Sequence, residues 1–180
     1  MQIQKIMSTA LDKYSIDITQ LSVGKSQISF LVDNFFLGQY KLLEKHKGKG
    51  VVIVHIDKQG RNIMVNLQTK VLLQTMCDRC LDNMNYELQT ESNIIFSDDL
   101  SPNQENNPSK EFLHPNESKI NIANKIYEDI FLAMPIRFIH DKKTSNKCNQ
   151  AMISLLNAYS STPAKIDPRW ENLRKVKIKT

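Results

Sequence analysis

"GVVIVHIDKQGRNIMVNLQ", Gly50 to Gln68, decides the fold. Its first half is a β-branched run bounded by Gly50 and by the turn-forming "DKQGRN". Its second half, "NIMVNLQ", resumes at once. Two such runs joined through Gly60 predict a β-hairpin. Outward towards the N-terminus, "SQISFLVD" places Ile28, Phe30 and Val32 on one face. "YSIDITQL" sets Ile16, Ile18 and Leu21 on one side. Outward towards the C-terminus, "KVLLQTM" runs directly into Cys77. "NYELQTESNIIF" then alternates Tyr86, Leu88 and Thr90 against Glu87, Gln89 and Glu91. Five or six strands with short turns predict a small antiparallel sheet or open barrel over residues 1–96. "LQT" recurs at Leu67, Leu73 and Leu88, but at unequal intervals, so it is strand composition and not a repeat.

The text changes at "SDDLSPNQENNPSKEFLHPNES". This stretch is rich in Asn, Ser and Pro and predicts a flexible polar loop over residues 97–118. Helical periodicity takes over beyond it. In "INIANKIYEDIFLAM", Ile122, Ile126, Ile130 and Met134 form one stripe flanked by Ala123, Tyr127 and Phe131, and Pro135 stops the helix. "NQAMISLLNAYS" repeats the pattern with Met152, Leu155, Leu156 and Tyr159. "IDPRWENLRKVK" offers Asp167 as N-cap and Pro168 as the first helical residue, with Trp170 and Leu173 three apart. The expected class is α+β. A β-rich part over 1–96 carries the cysteine pair, and two to three helices in the C-terminal half, residues 119–180, pack on the sheet.

The bulk numbers suit one globular unit: 180 residues, 41% hydrophobic and 24% charged. No apolar run approaches the roughly 20 residues that span a bilayer. "MQIQKIMSTALDKYS" has no apolar signal region. Three cysteines cannot all pair within one chain, and reduced thiols fit a cytosol. A cytoplasmic protein of a bacterium-like or organellar system, with no membrane partner, is expected. The net charge of +5 permits an anionic partner without demanding one.

Several signals carry no chemistry. "VGKS" resembles the tail of a phosphate-binding loop, but the required first glycine is replaced by Thr19 and strands lie on both sides. His46, His55, His114 and His140 are scattered, and Asp98 and Asp99 fall in the polar stretch. "MCDRCLDNM", Met76 to Met84, is different, because two residues separate Cys77 from Cys80. Three readings stand side by side. A redox pair would need a helix starting at the first cysteine to lower its pKa, and strand-like text follows instead. A metal knuckle needs two further ligands, for which Cys148 is the third and His140, eight residues before it, is the best fourth. The plain alternative is a pair of small buried residues.

"CDRCL" after a β segment resembles the signature of the YceD-like family, the large ribosomal RNA subunit accumulation proteins. "FFLGQY", the hairpin before the cysteines, the helix ending in "FLAMPIRFIH", the single Cys148 and the terminal "DPRWENLRKV" stand in the family's order. The "DPRW" ending resembles the Bacteroidetes-type version. The resemblance implies a non-enzymatic role in accumulation or processing of large-subunit ribosomal RNA. The partners it implies are that RNA or a large-subunit ribosomal protein. Some members carry additional cysteine pairs near the C-terminus. Here only Cys148 is present, so a structural zinc site would need His140, or an open position, beside Cys77, Cys80 and Cys148.

Three basic clusters are the expected RNA-binding groups, since lysine and arginine neutralise phosphates irrespective of sequence. They hold Lys45, Lys47 and Lys49; Arg137, Lys142 and Lys143; and Arg174 and Lys175. Arg169 and Trp170, just upstream of the last, form a pair able to stack on an unpaired base. Two other functions compete with ribosome assembly: a small zinc-stabilised protein-binding module, and a thiol-redox enzyme using Cys77.

Overall fold

The computed structural model describes residues 11–60, 62–97, 110–114, 116–140 and 147–160. The hairpin is its centre. β2 (Gly24–Val32), β3 (Lys47–Gln59), β4 (Asn62–Met76) and β5 (Asn83–Ser97) pair antiparallel in sequence order. Gln59 pairs with Asn62 across a turn that opens at Gly60, whose φ of +59° is a conformation glycine adopts without steric cost. Burial alternates along β4, so Ile63, Val65, Leu67, Val71 and Leu73 face inward, as period two requires.

The five-stranded sheet ends with β6 (Lys110–Phe112), which lies parallel to the end of β5. β2 and β6 are its two edges, so this is an open sheet and not a closed barrel. β6 falls inside the stretch read as a polar loop. Three residues are too few to show a period, and parallel pairing leaves no hairpin signal in the text. The rest of that loop, residues 98–109, lies outside the described residues.

β1 (Ser15–Asp17) and β7 (Lys119–Asn121) make a second, two-stranded sheet. The strand expected over "YSIDITQL" stops early, because the Asp17 carboxylate accepts from the Thr19 N–H (3.0 Å) and turns the chain into a 3₁₀ segment. β7 carries the chain into a long helix, with Ile122 N–H donating to the Tyr14 carbonyl (3.1 Å).

Three helices are described: α1 (Asn34–Gly38), α2 (Ala123–Ala133) and α3 (Gln150–Ser160). α1 is capped by Asp33, whose carboxylate accepts from Phe36 N–H (2.9 Å), and it buries Phe36 and Leu37. α2 presents Ala123, Ile126 and Ile130 to the sheet, following the stripe expected of it, and Met134 at its end is already extended before Pro135. The main core joins these side chains to Tyr14, Val32, Val54 and Leu88. α3 differs from the expectation of a packed amphipathic helix. None of its residues is buried, and Leu155, Leu156 and Tyr159 are exposed. The helix expected over "IDPRWENLRKVK" lies outside the described residues.

Candidate metal centre

β4 delivers Cys77 and a tight turn delivers Cys80. The Cys77 N–H donates to the Asp82 carbonyl (2.9 Å), and the Leu81 N–H donates back to the Cys77 carbonyl (2.8 Å). The Arg79 N–H points at the Cys77 sulfur (3.4 Å). Closing the turn forces Leu81 to φ +62°, the left-handed region that a side chain disfavours. β5 then starts at Asn83, so no helix begins at the pair.

The other two residues arrive from beyond α2. Asp78, between the cysteines, fastens that segment twice. Its N–H donates to the Phe138 carbonyl (2.7 Å), and its carboxylate accepts from the Phe138 N–H (2.7 Å). Phe138 is buried, edge-on to Tyr86 at 5.3 Å, and places His140 two residues on. Cys148 stands just before α3, where the Asn149 side chain accepts from Ala151 N–H (3.0 Å).

The four side chains meet. Cys77 Sγ lies 3.9 Å from Cys148 Sγ; His140 Nδ1 lies 3.4 Å from Cys80 Sγ and 3.6 Å from Cys148 Sγ. All four ligand atoms lie within 4.8 Å of one another, and the three thiols are free. A sulfur separation of 3.9 Å is far from the ~2.05 Å of a disulfide. Cys77, Cys80, Met84 and Phe138 form a small buried cluster of their own, with Met134, Cys148 and Met152 against it. Burial acts to raise the Cys77 pKa, but the backbone N–H groups of Cys80, His140 and Arg79 and the Cys80 side chain outweigh it and lower it to about 6. The Cys148 thiol moves the other way, raised by burial and then by Cys77 and Cys80. His140 Nε2 is buried with no partner among the described residues. Three thiols and an imidazole this close are able to hold a metal ion.

The family model for the large ribosomal RNA subunit accumulation protein YceD matches residues 65–177. The chain belongs to the YceD family. No curated protein and no solved structure matches it. In this YceD-family chain the matched span opens inside β4 and takes in all four residues of the centre, while Lys45, Lys47 and Lys49 precede it.

Of the expected RNA-binding groups, Lys45, Lys47, Lys49 and Arg137 are described, and all four are exposed. "KGKG" explains the first cluster. Gly48 and Gly50 face β4 so closely that a Cβ would stand 2.7 Å from the Leu72 carbonyl at the first and would clash with the Lys70 carbonyl at the second. The alternate positions, Lys47 and Lys49, therefore project from the opposite face. Lys142, Lys143, Arg169, Trp170, Arg174 and Lys175 lie outside the described residues. Sequence reading missed Asp78 and Phe138. The acid inside "CDRC" was the available signal, since a short polar side chain in a tight turn often bonds to nearby backbone. No helix of the described residues is long and apolar enough to cross a membrane.

Proposed function

We propose that this YceD-family chain is a cytoplasmic, non-enzymatic ribosome-assembly factor. It supports accumulation or processing of large-subunit ribosomal RNA by binding that RNA or a large-subunit ribosomal protein. The family match over residues 65–177 carries this reading. The exposed lysines of "KGKG" and Arg137 support an RNA contact, and we assign the same role to Lys142, Lys143, Arg169, Trp170, Arg174 and Lys175.

In this proposal Cys77, Cys80, His140 and Cys148 hold a structural zinc ion. The distances fit: with Zn–S near 2.3 Å and Zn–N near 2.0–2.1 Å, a tetrahedron has S···S edges of about 3.8 Å and S···N edges of about 3.6 Å. Four protein ligands leave no open position, so the ion supplies cohesion and not hydrolysis. It clips the β-rich part, residues 1–96, to the helical part, residues 119–180, across the polar segment between them. The test of function is depletion in cells. Mature large-subunit RNA should fall, or its precursors accumulate, relative to small-subunit RNA. Unchanged levels of both would refute the role.

One observation favours a second reading. A Cys77 thiol near 6 is largely thiolate at neutral pH, which suits a redox nucleophile. A metal ligand needs the same thiolate. No helix starts at the pair, and the neighbouring imidazole is shared between two thiols, His140 Nδ1 lying 3.4 Å from Cys80 Sγ and 3.6 Å from Cys148 Sγ, so the ligand role is preferred.

A further inference from the structure

A second feature adjoins the metal centre. A groove of about 760 Å³ opens beside Asp78 and Phe138 at the knuckle end of the sheet. We propose that this groove is a subsite for unpaired RNA, holding phosphate at Lys45 and Lys47 and an unstacked base against Met76 and the amides of Gln74, Asn83 and Asn85. The inference rests on the proposed role in ribosomal RNA accumulation and names the ligand through which that role would be exercised.

Strand register builds the lining. Lys47 pairs with Gln74, and Gln74 pairs with Asn85, so one row across three strands reads cation, amide, amide. Met76 and Asn83 form the next row on the same face. All five are exposed, and Lys45 joins them from the loop before β3. Neither lysine has an ion-pair partner among the described residues. The acid that lines the groove, Asp78, turns its carboxylate to the Phe138 N–H (2.7 Å). The cations are thus free to meet phosphate.

The three amides are also unengaged among the described residues. Each carries donors and an acceptor side by side, the pattern that matches the edge of a base. Met76, 58% exposed, offers a polarizable thioether to a base face. His46 lines the same groove, and burial together with the Lys45 charge lowers its pKa, which favours the neutral ring, a form suited to stacking. An A-form duplex keeps its base faces stacked, its Watson–Crick edges paired and its major-groove edges in a deep, narrow groove, so an unpaired base is the one that offers both a face to Met76 and a free edge to these amides. A peptide partner would need apolar anchors, whereas this row has one exposed apolar side chain, Met76. The volume lies within the roughly 300–1,000 Å³ of ordinary ligand sites.

The groove depends on the metal centre for its shape. Asp78 sits between two of the four clustered residues, Phe138 two positions before a third, and the pair of bonds between them sets one wall.

The test uses the full chain and a labelled single-stranded RNA oligonucleotide, read by fluorescence anisotropy across a salt series. Single-stranded RNA should bind more tightly than a duplex of the same sequence. Lys45→Ala with Lys47→Ala should bind about tenfold more weakly and flatten the logarithmic salt slope by about 1.4, at about 0.7 per phosphate. Gln74→Ala with Asn85→Ala should weaken binding at an unchanged slope. Lys25→Ala with Lys119→Ala, the same loss of charge away from the groove, should match the wild type. All these side chains are solvent-exposed or half-buried, and circular dichroism checks that each variant folds. Three results would overturn the subsite: wild-type affinity and slope in the lysine variant, equal binding of duplex and single strand, or capture of a large-subunit ribosomal protein by the same lysines with no RNA bound. The assembly role is scored separately by RNA levels in depleted cells, so a misplaced subsite and a mistaken role give different outcomes.

Discussion

Leu81 holds a left-handed backbone, φ +62°, to close the turn after Cys80, and its side chain is 61% exposed. The strain of that conformation is about 1–2 kcal/mol for a residue with a Cβ, while little burial would be lost by removing the side chain. Leu81→Gly should therefore raise stability by about 1 kcal/mol, after glycine's own entropic cost is offset; the midpoint of urea unfolding reads it. A lower midpoint would mean that Leu81 packs against something that matters. The identities in the centre were legible in part. Two cysteines at C-x2-C spacing announce themselves, and only one other cysteine remained to join them. The strain at Leu81 was not legible, because nothing in "CDRCL" states which residue must turn left-handed. Nor were the two bonds from Asp78 to Phe138, which join positions sixty residues apart.

At the scale of the element, long strands and the longer helix were readable and short pieces were not. β3, β4 and β5 give their alternation over 13 to 15 residues each, and α2 carries its stripe through three turns. β6 is three residues long and pairs parallel, so it looked like loop. α3 shows the limit of a periodic pattern: it specifies a helix but not what covers its apolar side. "KGKG" is a sharper case. Its glycines are required by the approach of β4, and Gly50→Ala should destabilise by about 1–3 kcal/mol through a clash with backbone that cannot move aside; thermal unfolding tests this. On α2, burial raises the Asp129 pKa, against the lowering by the Ser92 hydrogen bond. A raised folded-state pKa favours the native state below the unfolded value of about 3.9, and that contribution is lost as pH rises through the folded value. Asp129→Asn keeps an acceptor for Ser92 without the charge. It should be more stable than the wild type at pH 7, with the difference shrinking below about pH 4. A gap that stays constant with pH would contradict the burial cause.

Across the whole molecule, the centre brings together residues that the chain separates by up to 71 positions, Cys77 and Cys148. Sequence reading could name the set but not its closeness, which depends on how β4, the end of α2 and the start of α3 converge. Around it, core is thin: Cys77, Cys80, Met84 and Phe138 form a cluster distinct from the main core, and α3 adds no fully buried residue to it, only the half-buried Met152. A bound ion would therefore supply cohesion that packing does not. Treating the full chain with a strong chelator should lower its thermal midpoint and expose the segments carrying His140 and Cys148 to proteolysis, while the central hairpin stays protected in hydrogen exchange. Equal protection of both regions with and without chelator would argue against a clip. Metal analysis of untagged, full-length protein tests the central claim most directly. We predict one zinc ion per chain, falling towards zero in Cys80→Ser with Cys148→Ser; a ratio near zero in the unsubstituted chain would contradict the account.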